Sequence, residues 1–180
     1  MKTLIVGGIM AICFSLLGCS GIDPATYQDM QPKMDLAQYF NGPVKAWGLV
    51  QDRSGNVVTR FDIDMNGTWQ GDEGVLDEKF RYYSGEQKQR IWKIKRLSAD
   101  RYEGRADDII GKATGETYGN AMRWTYEMDV PVGETTYKLK FDDWMWLMND
   151  GVLINRSYMK KWGVTVAEIT IFMQKIEQGS

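Results

Sequence analysis

Apolar and polar side chains alternate along three stretches of the chain, at residues 57–65, 121–130 and 136–148. The apolar positions share one parity within each stretch: Val57, Phe61, Ile63 and Met65 in the first, Met122, Trp124, Tyr126, Met128 and Val130 in the second, and Tyr137, Leu139, Phe141, Met145 and Leu147 in the third. A period of two places successive side chains on opposite faces of a β-strand. The pattern therefore predicts strands of a sheet with one apolar and one polar face.

Turn-forming segments separate the strand-like runs at intervals of roughly ten residues. They are residues 53–56, 71–74, 83–86, 98–101, 131–134 and 149–151. Short connections of this kind join antiparallel neighbours, and closing the sheet removes its two unpaired edges. We therefore predict an all-β fold, an antiparallel up-and-down β-barrel of about nine strands. Residues 33–40 place Leu36, Tyr39 and Phe40 on one side, which predicts a short N-terminal helix before the barrel.

The N-terminus has the pattern of an export signal. Lys2 precedes an uncharged segment from Leu4 to Leu17, which is shorter than the roughly 20 residues of a transmembrane helix. The following Leu-Leu-Gly-Cys, ending at Cys19, resembles the bacterial lipobox, in which cleavage precedes a lipidated cysteine. An ordinary cleaved signal with a cysteine there by chance is the alternative. We predict a signal peptide at 1–18, a lipidated N-terminus and tether at 19–33, and a barrel domain at 34–177.

Lipidation of Cys19 also accounts for the cysteine content. Cys13 lies in the predicted signal peptide, so the mature chain keeps a single cysteine that has no internal disulfide partner. The resemblance to bacterial lipoproteins implies fatty acyl chains such as palmitate on Cys19, and Ser20 beside it favours the outer membrane. We therefore expect a lipid-anchored domain on the periplasmic face of the outer membrane, with the membrane as a partner through Cys19.

Composition excludes several classes of chemistry. The net charge of −2 favours no nucleic-acid partner, and the sequence contains no histidine. Without histidine or a free thiol, His-based triads, His-ligated metals and thiol catalysis are excluded. The adjacent carboxylates Asp107–Asp108 and Asp142–Asp143 would point to opposite faces of a strand and form no catalytic pair. We predict no enzymatic activity, no cofactor and no metal site; a hydrolase that uses Asp or Glu is the least favoured alternative.

Two resemblances bear on the fold. Residues 39–50, YFNGPVKAWGLV, resemble the opening of a lipocalin or calycin barrel, where a Gly (here Gly42) precedes a Trp (here Trp47) that plugs the closed end. Three stretches resemble a proteobacterial lipoprotein family of unknown function, over about residues 34–175: KAWGLVQDRSGNVVTRFDIDMNGTW, RYEGRADDIIGKATGETYGNAMRW and FDDWMWLMNDGVLINRSYMKKWGVTVAEITIFMQK. This resemblance implies an envelope lipoprotein with a lipocalin-like barrel, and it implies no activity and no catalytic residues.

The inward aromatic and methionine side chains predict a pocket for a small apolar or amphipathic ligand, such as a lipid, in envelope maintenance or transport. The candidate ligand-binding residues are Trp47, Phe61, Trp124, Tyr126, Phe141 and Met145. The alternative is a structural or accessory lipoprotein whose filled barrel binds a protein partner in the envelope. Trp144 and Trp146 fall on the predicted outer face, where two exposed indoles would mark such a contact surface.

One acidic residue interrupts the apolar face. Asp143 has the same parity as Phe141 and Met145, and an ionised carboxylate in that environment is costly unless it is paired. Pairing across the predicted turn at 149–151 brings Arg156 opposite. We therefore predict a buried ion pair between Asp143 and Arg156, with the guanidinium stacked on Trp47.

Overall fold

The computed structural model of the protein describes residues 21–176. The predicted signal peptide at 1–18 and the predicted lipidation site at Cys19 lie outside the described residues. Among the residues described, neither helix combines the length and the apolar character needed to cross a membrane.

Residues 21–176 contain ten antiparallel strands that form a closed barrel. The strands are β1 (Gly42–Asp52), β2 (Val57–Gln70), β3 (Glu73–Tyr82), β4 (Gln87–Arg96), β5 (Arg101–Arg105), β6 (Ile109–Tyr118), β7 (Ala121–Val132), β8 (Thr135–Leu147), β9 (Val152–Lys161) and β10 (Val164–Lys175). Each strand pairs with the next along the chain, and β10 closes on β1. The predicted all-β, up-and-down barrel is confirmed, with ten strands instead of about nine. The two-residue turn at Trp162 and Gly163 lacks the usual Asn-Gly or Asp-Gly signature and gave no signal in the sequence.

The side chains alternate between the barrel interior and the outer surface as the period of two predicts. Buried apolar residues include Phe61, Ile63 and Met65 on β2, Met122, Trp124 and Tyr126 on β7, and Leu139, Phe141 and Met145 on β8. Their neighbours Asp64, Glu127 and Lys140 are exposed. Burying each large apolar side chain contributes about 1.5–3 kcal/mol. The core therefore lies inside the barrel.

One end of the barrel, which we call the closed end, is covered by the single-turn helix α1 (Leu36–Tyr39) and Phe40. The side chain of Asp35 caps this helix by accepting a hydrogen bond from the backbone N–H of Gln38 at 2.9 Å. Arg96 from β4 also donates to the Asp35 carboxylate at 2.6 Å. The chain approaches β2 so closely that a Cβ on Gly67 would overlap the carbonyl oxygen of Phe40.

Lys175 fastens the C-terminal strand to this covering helix. The end of a helix leaves backbone carbonyls without intrahelical partners, and a cation placed there is favourable. The Lys175 ammonium uses its three N–H donors on three such carbonyls, at 2.7–2.8 Å, those of Gln38, Tyr39 and Asn41. The closed end is therefore held by both termini of the barrel domain.

The segment before α1 packs on the outer wall of the barrel. A 3₁₀ turn at Pro24–Tyr27 places the Tyr27 ring 6.0 Å from the ring of Trp144 and 6.2 Å from that of Trp146. Further along, the backbone N–H of Met34 donates to the carbonyl of Gly119 at 2.7 Å. Trp144 is only 2% exposed as a result. The expectation that Trp144 and Trp146 form an exposed pair is therefore wrong, because the N-terminal segment covers them.

Candidate functional site

The barrel is hollow, with an interior cavity of about 890 Å³. The cavity reaches the end opposite α1, which we call the open end; there residues 53–56, 83–86, 133–134 and 162–163 connect the strands. Side chains at this mouth include Val58, Ser84, Val132 and Lys161. Ligand-binding pockets in proteins typically have volumes of roughly 300–1,000 Å³. The interior therefore has room for a small molecule, and a filled barrel does not describe it.

Five of the six predicted ligand-binding residues line this cavity. They are Phe61, Trp124, Tyr126, Phe141 and Met145. Contact with a ligand stays a prediction for each of them. The sixth, Trp47, lies on the outer face of β1, 43% exposed, with its ring 5.9 Å from that of Phe172 on β10. Its neighbours Val44 and Ala46 occupy the inward positions of β1, so the expectation that Trp47 plugs the barrel is wrong.

Two glycines explain how the cavity stays open although its wall is rich in aromatic residues. The ring of Trp124 lies against the backbone of β5 and β6, where a Cβ on Gly104 or Gly115 would overlap the indole. Phe61 lies against Gly48 of β1 in the same way. A glycine within a strand, as at Gly115, is typical of such a close approach. The rings therefore lie flat on the wall instead of projecting across the cavity.

The predicted ion pair between Asp143 and Arg156 is wrong. The register of β8 and β9 places Asp143 opposite Ser157, and Arg156 opposite Trp144, one residue away from the predicted pairing. A slip of one residue moves a side chain to the other face of the sheet. Arg156 is accordingly on the outer surface, where its Nε donates to Glu168 at 2.9 Å. Asp143 faces the cavity, as its parity predicted.

Asp143 belongs to a polar cluster, four cavity-lining side chains that sequence reasoning found only in part. The others are Ser157 on β9, Glu78 on β3 and Arg90 on β4. Glu78 and Arg90 are directly opposite in the β3–β4 ladder, with Oε2 and Nη1 separated by 3.9 Å. The sequence contains a signal for Glu78, which alternates with Leu76 and Phe80. The same holds for Arg90, which alternates with Trp92 and Ile94. Charged residues at inward positions are the mark of such a cluster.

Burial changes the protonation of the two acids in this cluster. Transfer of a carboxylate out of water disfavours its ionised form and raises the pKa. Burial raises the pKa of Asp143 to about 7 and that of Glu78 to about 7, although the nearby charge of Arg90 opposes both shifts. Both side chains can therefore exchange a proton near neutral pH.

Arg90 also closes a gap in the barrel wall. The pairing of β4 with β5 covers only Lys93 to Arg96, so the first half of β4 has no neighbour on that side. There Arg90 makes a bidentate contact with Asp108, from the turn before β6: Nε donates to Oδ1 at 3.0 Å and Nη2 donates to Oδ2 at 2.6 Å. Asp107 and Asp108 form this turn and not part of a strand, and Asp108 satisfies the guanidinium from outside the cavity.

On the outer wall, Asp142 shows how a buried carboxylate is normally accommodated. It is 5% exposed and accepts from Arg123 at 2.7 Å and from Lys160 at 2.6 Å. Burial alone would raise the pKa of Asp142, but these two charged donors outweigh it and the pKa is lowered. Asp143, one residue further, lacks comparable donors. The contrast marks Asp143 as the carboxylate that an occupant of the cavity would meet.

Among residues 21–176, no group of three or more acidic or cysteine side chains is placed to hold a metal ion. No curated protein matches the sequence. The closed antiparallel barrel and its cavity are compatible with a lipocalin-like ligand-binding protein. A family model described as a protein of unknown function, DUF3833, matches residues 13–175, and the chain therefore belongs to this family.

Proposed function

We propose that the protein binds a small apolar or amphipathic molecule, such as a lipid, inside its barrel and serves envelope maintenance or transport. The observation that carries this proposal is the cavity of about 890 Å³, open at one end and lined mainly by aromatic, aliphatic and methionine side chains. Apolar surface of this extent gains free energy when a hydrocarbon chain replaces water, at about 25 cal/mol per Å² buried. Methionines such as Met145 and Met159 adapt to chains of different shape.

The test is native mass spectrometry of the full-length protein, purified from a bacterial envelope, to detect a co-purifying small molecule. Ala167→Phe on β10 would place a ring inside the cavity, whereas Thr170→Phe on the same strand places a ring on the outer wall. We expect the wild type and Thr170→Phe to carry a bound molecule and Ala167→Phe to lose it. Equal occupancy in both folded variants would contradict binding inside the barrel.

The proposal includes a lipid anchor at Cys19, on the periplasmic face of the outer membrane. It is supported by the resemblance of residues 16–19 to the lipobox and by the uncharged segment before them. Stable anchoring needs two or more acyl chains, since a single chain binds membranes only weakly. Metabolic labelling with palmitate, followed by membrane fractionation, should label the wild type and not Cys19→Ala. A labelled Cys19→Ala, or a wild type in the soluble fraction, would contradict the anchor.

The alternative of a protein partner in the envelope remains a separate proposal. Its filled-barrel premise does not match the cavity, and the Trp144 surface on which it depended is covered by Tyr27. We therefore place ligand binding first.

A further inference from the structure

The polar cluster lies within an otherwise apolar cavity, and three of its four members have a side-chain oxygen without a hydrogen-bond partner. Asp143 Oδ1, Ser157 Oγ and Glu78 Oε2 are buried atoms that have no hydrogen-bond partner among the described residues. Ser157 is 2% exposed and still lines the cavity, so its hydroxyl is directed towards the space an occupant would fill. A buried polar group without a partner costs roughly 1–3 kcal/mol. A ligand that supplies hydrogen-bond donors here would recover part of that cost.

The cluster is unsuited to an anionic group. Its cation, Arg90, already makes two hydrogen bonds to Asp108 and lies 3.9 Å from Glu78. The lysines among the described lining residues, Lys88 and Lys161, lie near the open end, and Lys161 rests 3.8 Å above the Tyr137 ring. Above neutral pH, where both acids are ionised, a carboxylate or phosphate placed beside Asp143 would therefore meet acceptors and like charge. Like charges held close together in a site of low polarity repel strongly.

We propose that the cavity selects an amphiphile whose polar group donates hydrogen bonds, an alcohol or a primary amine, to Asp143 and Ser157, with Glu78 nearby. The alkyl chain would lie along the apolar wall towards the open end, beside residues such as Phe141, Met159 and Val130. This inference rests on the proposed function and names the ligand class of the same cavity. An amine also matches the net negative charge that Asp143 and Glu78 carry when both are ionised, since Arg90 is neutralised by Asp108.

A matched series of eight-carbon ligands tests this selectivity: 1-octylamine, 1-octanol and octanoate. Full-length protein is held in lipid nanodiscs at pH 8, where Asp143 and Glu78 are mostly ionised, binding is measured by isothermal titration calorimetry, and empty nanodiscs correct for partitioning. We expect the amine and the alcohol to bind at least about 10-fold more tightly than octanoate. Octanoate binding as tightly as the amine or the alcohol would overturn the inference. Failure of all three ligands to bind would instead count against the proposed function itself.

Variants locate the selectivity at the cluster. Asp143→Asn should weaken octylamine binding about 10-fold and octanol binding less, because only the amine gains from the negative charge. Ser157→Ala should weaken both ligands about threefold, and it supplies the same test if Asp143→Asn does not fold. The matched control is Asp129→Asn, an exposed acid on β7, which should bind all three ligands as the wild type does. Unchanged octylamine affinity in folded Asp143→Asn, or in folded Ser157→Ala if the first variant does not fold, would overturn the assignment.

Discussion

The two ends of the barrel are built from the same kind of hairpin but differ in what covers them. At the closed end, Leu36, Tyr39 and Phe40 are buried, and Lys175 binds three backbone carbonyls of the covering segment. At the open end, apolar side chains face solvent around the mouth, among them Val58, Val132 and Trp162. The difference indicates that stability is concentrated at one end and access to the cavity at the other.

Trp162 illustrates the open end most clearly. It is 92% exposed and occupies the first position of a two-residue turn, with φ of 51° for Trp162 and 82° for Gly163. Positive φ at both positions defines a type I′ turn, which favours Asn and Gly over an aromatic residue. Lys161 lies 4.6 Å above the indole, and this contact is exposed to water. The open end therefore retains a residue that costs backbone energy and gains little from packing.

The largest expected effect tests whether the closed end carries the stability. Gly67→Ala places a methyl group on the carbonyl oxygen of Phe40, so the covering segment must move away from β2. We expect the free energy of unfolding to fall by roughly 3 kcal/mol or more, measured by urea denaturation. The matched substitution at the open end is Gly133→Ala, where φ is 59° and no neighbouring atom lies within 4 Å. It should cost only about 1 kcal/mol, from backbone strain alone. An equal loss of unfolding free energy in Gly67→Ala and Gly133→Ala would contradict the idea that the closed end carries more of the stability than the open end.

An intermediate effect concerns the cluster that lies between the two ends. Because burial raises the pKa of Asp143 from 3.8 to about 7, the native state holds a proton between those pH values that the unfolded state has lost. The contribution of Asp143 to the stability of the ligand-free wild type should therefore be greatest below about pH 4, fall as the pH rises and level off above about pH 7. Arg90, Glu78 and Asp142 are the charged groups that contribute to this titration.

Asp143→Asn removes that titration. Relative to the wild type, its free energy of unfolding should be higher at pH 8, by up to about 1.4 kcal/mol for each unit by which burial raises the pKa of Asp143, and this gain should shrink as the pH falls towards 4. Thermal unfolding at a series of pH values measures the difference. Glu78 keeps its own raised pKa, so a smaller dependence on pH should remain in the variant. A folded variant that is no more stable than the wild type at pH 8 would show that Asp143 is ionised and satisfied in the native state.

The smallest expected effect lies at the tip of the open end. Trp162→Asn relieves the strain of an aromatic residue at positive φ and should raise the free energy of unfolding by about 1 kcal/mol. The change should leave octanol binding unaltered, because the indole does not line the cavity. Differential scanning calorimetry measures the stability. A loss of stability would mean that the exposed indole packs on the rim more firmly than its exposure indicates.

Sequence patterns predicted the barrel well because alternation is a local property. The inward faces of β2, β7 and β8 could be assigned from parity alone, and Asp143 was placed correctly inside. The residue opposite Asp143 was predicted incorrectly, because the register of β8 and β9 depends on where their turn begins. A shift of one residue in that register places Arg156 on the outer face and Ser157 opposite Asp143. The polar cluster could be predicted from the sequence only by assigning every charged residue at an inward position, including Glu78 and Arg90, to the barrel interior.

Other features could not be read from the sequence at all. Parity places Trp144 on the outer face, but it gives no information on whether a distant segment such as Tyr27 will cover it. The position of Trp47 was misjudged because the spacing from Gly42 did not fix which parity of β1 faces inward. The Trp144 error concerns a contact between parts of the chain that are far apart in sequence, where a periodic pattern carries no information. The Trp47 error arises within a single strand, where Gly42 and Trp47 alone do not set the parity.

The close packing of the Trp124 indole against the backbone of β5 and β6 limits which substitutions the chain can accept. Its indole requires glycine at both Gly104 and Gly115, so three positions on three different strands share a single fit. A larger residue at Gly104 or Gly115 is tolerated only if Trp124 is also replaced by a smaller residue. Replacing Trp124 alone would leave two unfilled spaces in the barrel wall, one beside each glycine. Substitutions at these positions should therefore be epistatic, and a designer who wishes to resize the binding chamber must vary the three together.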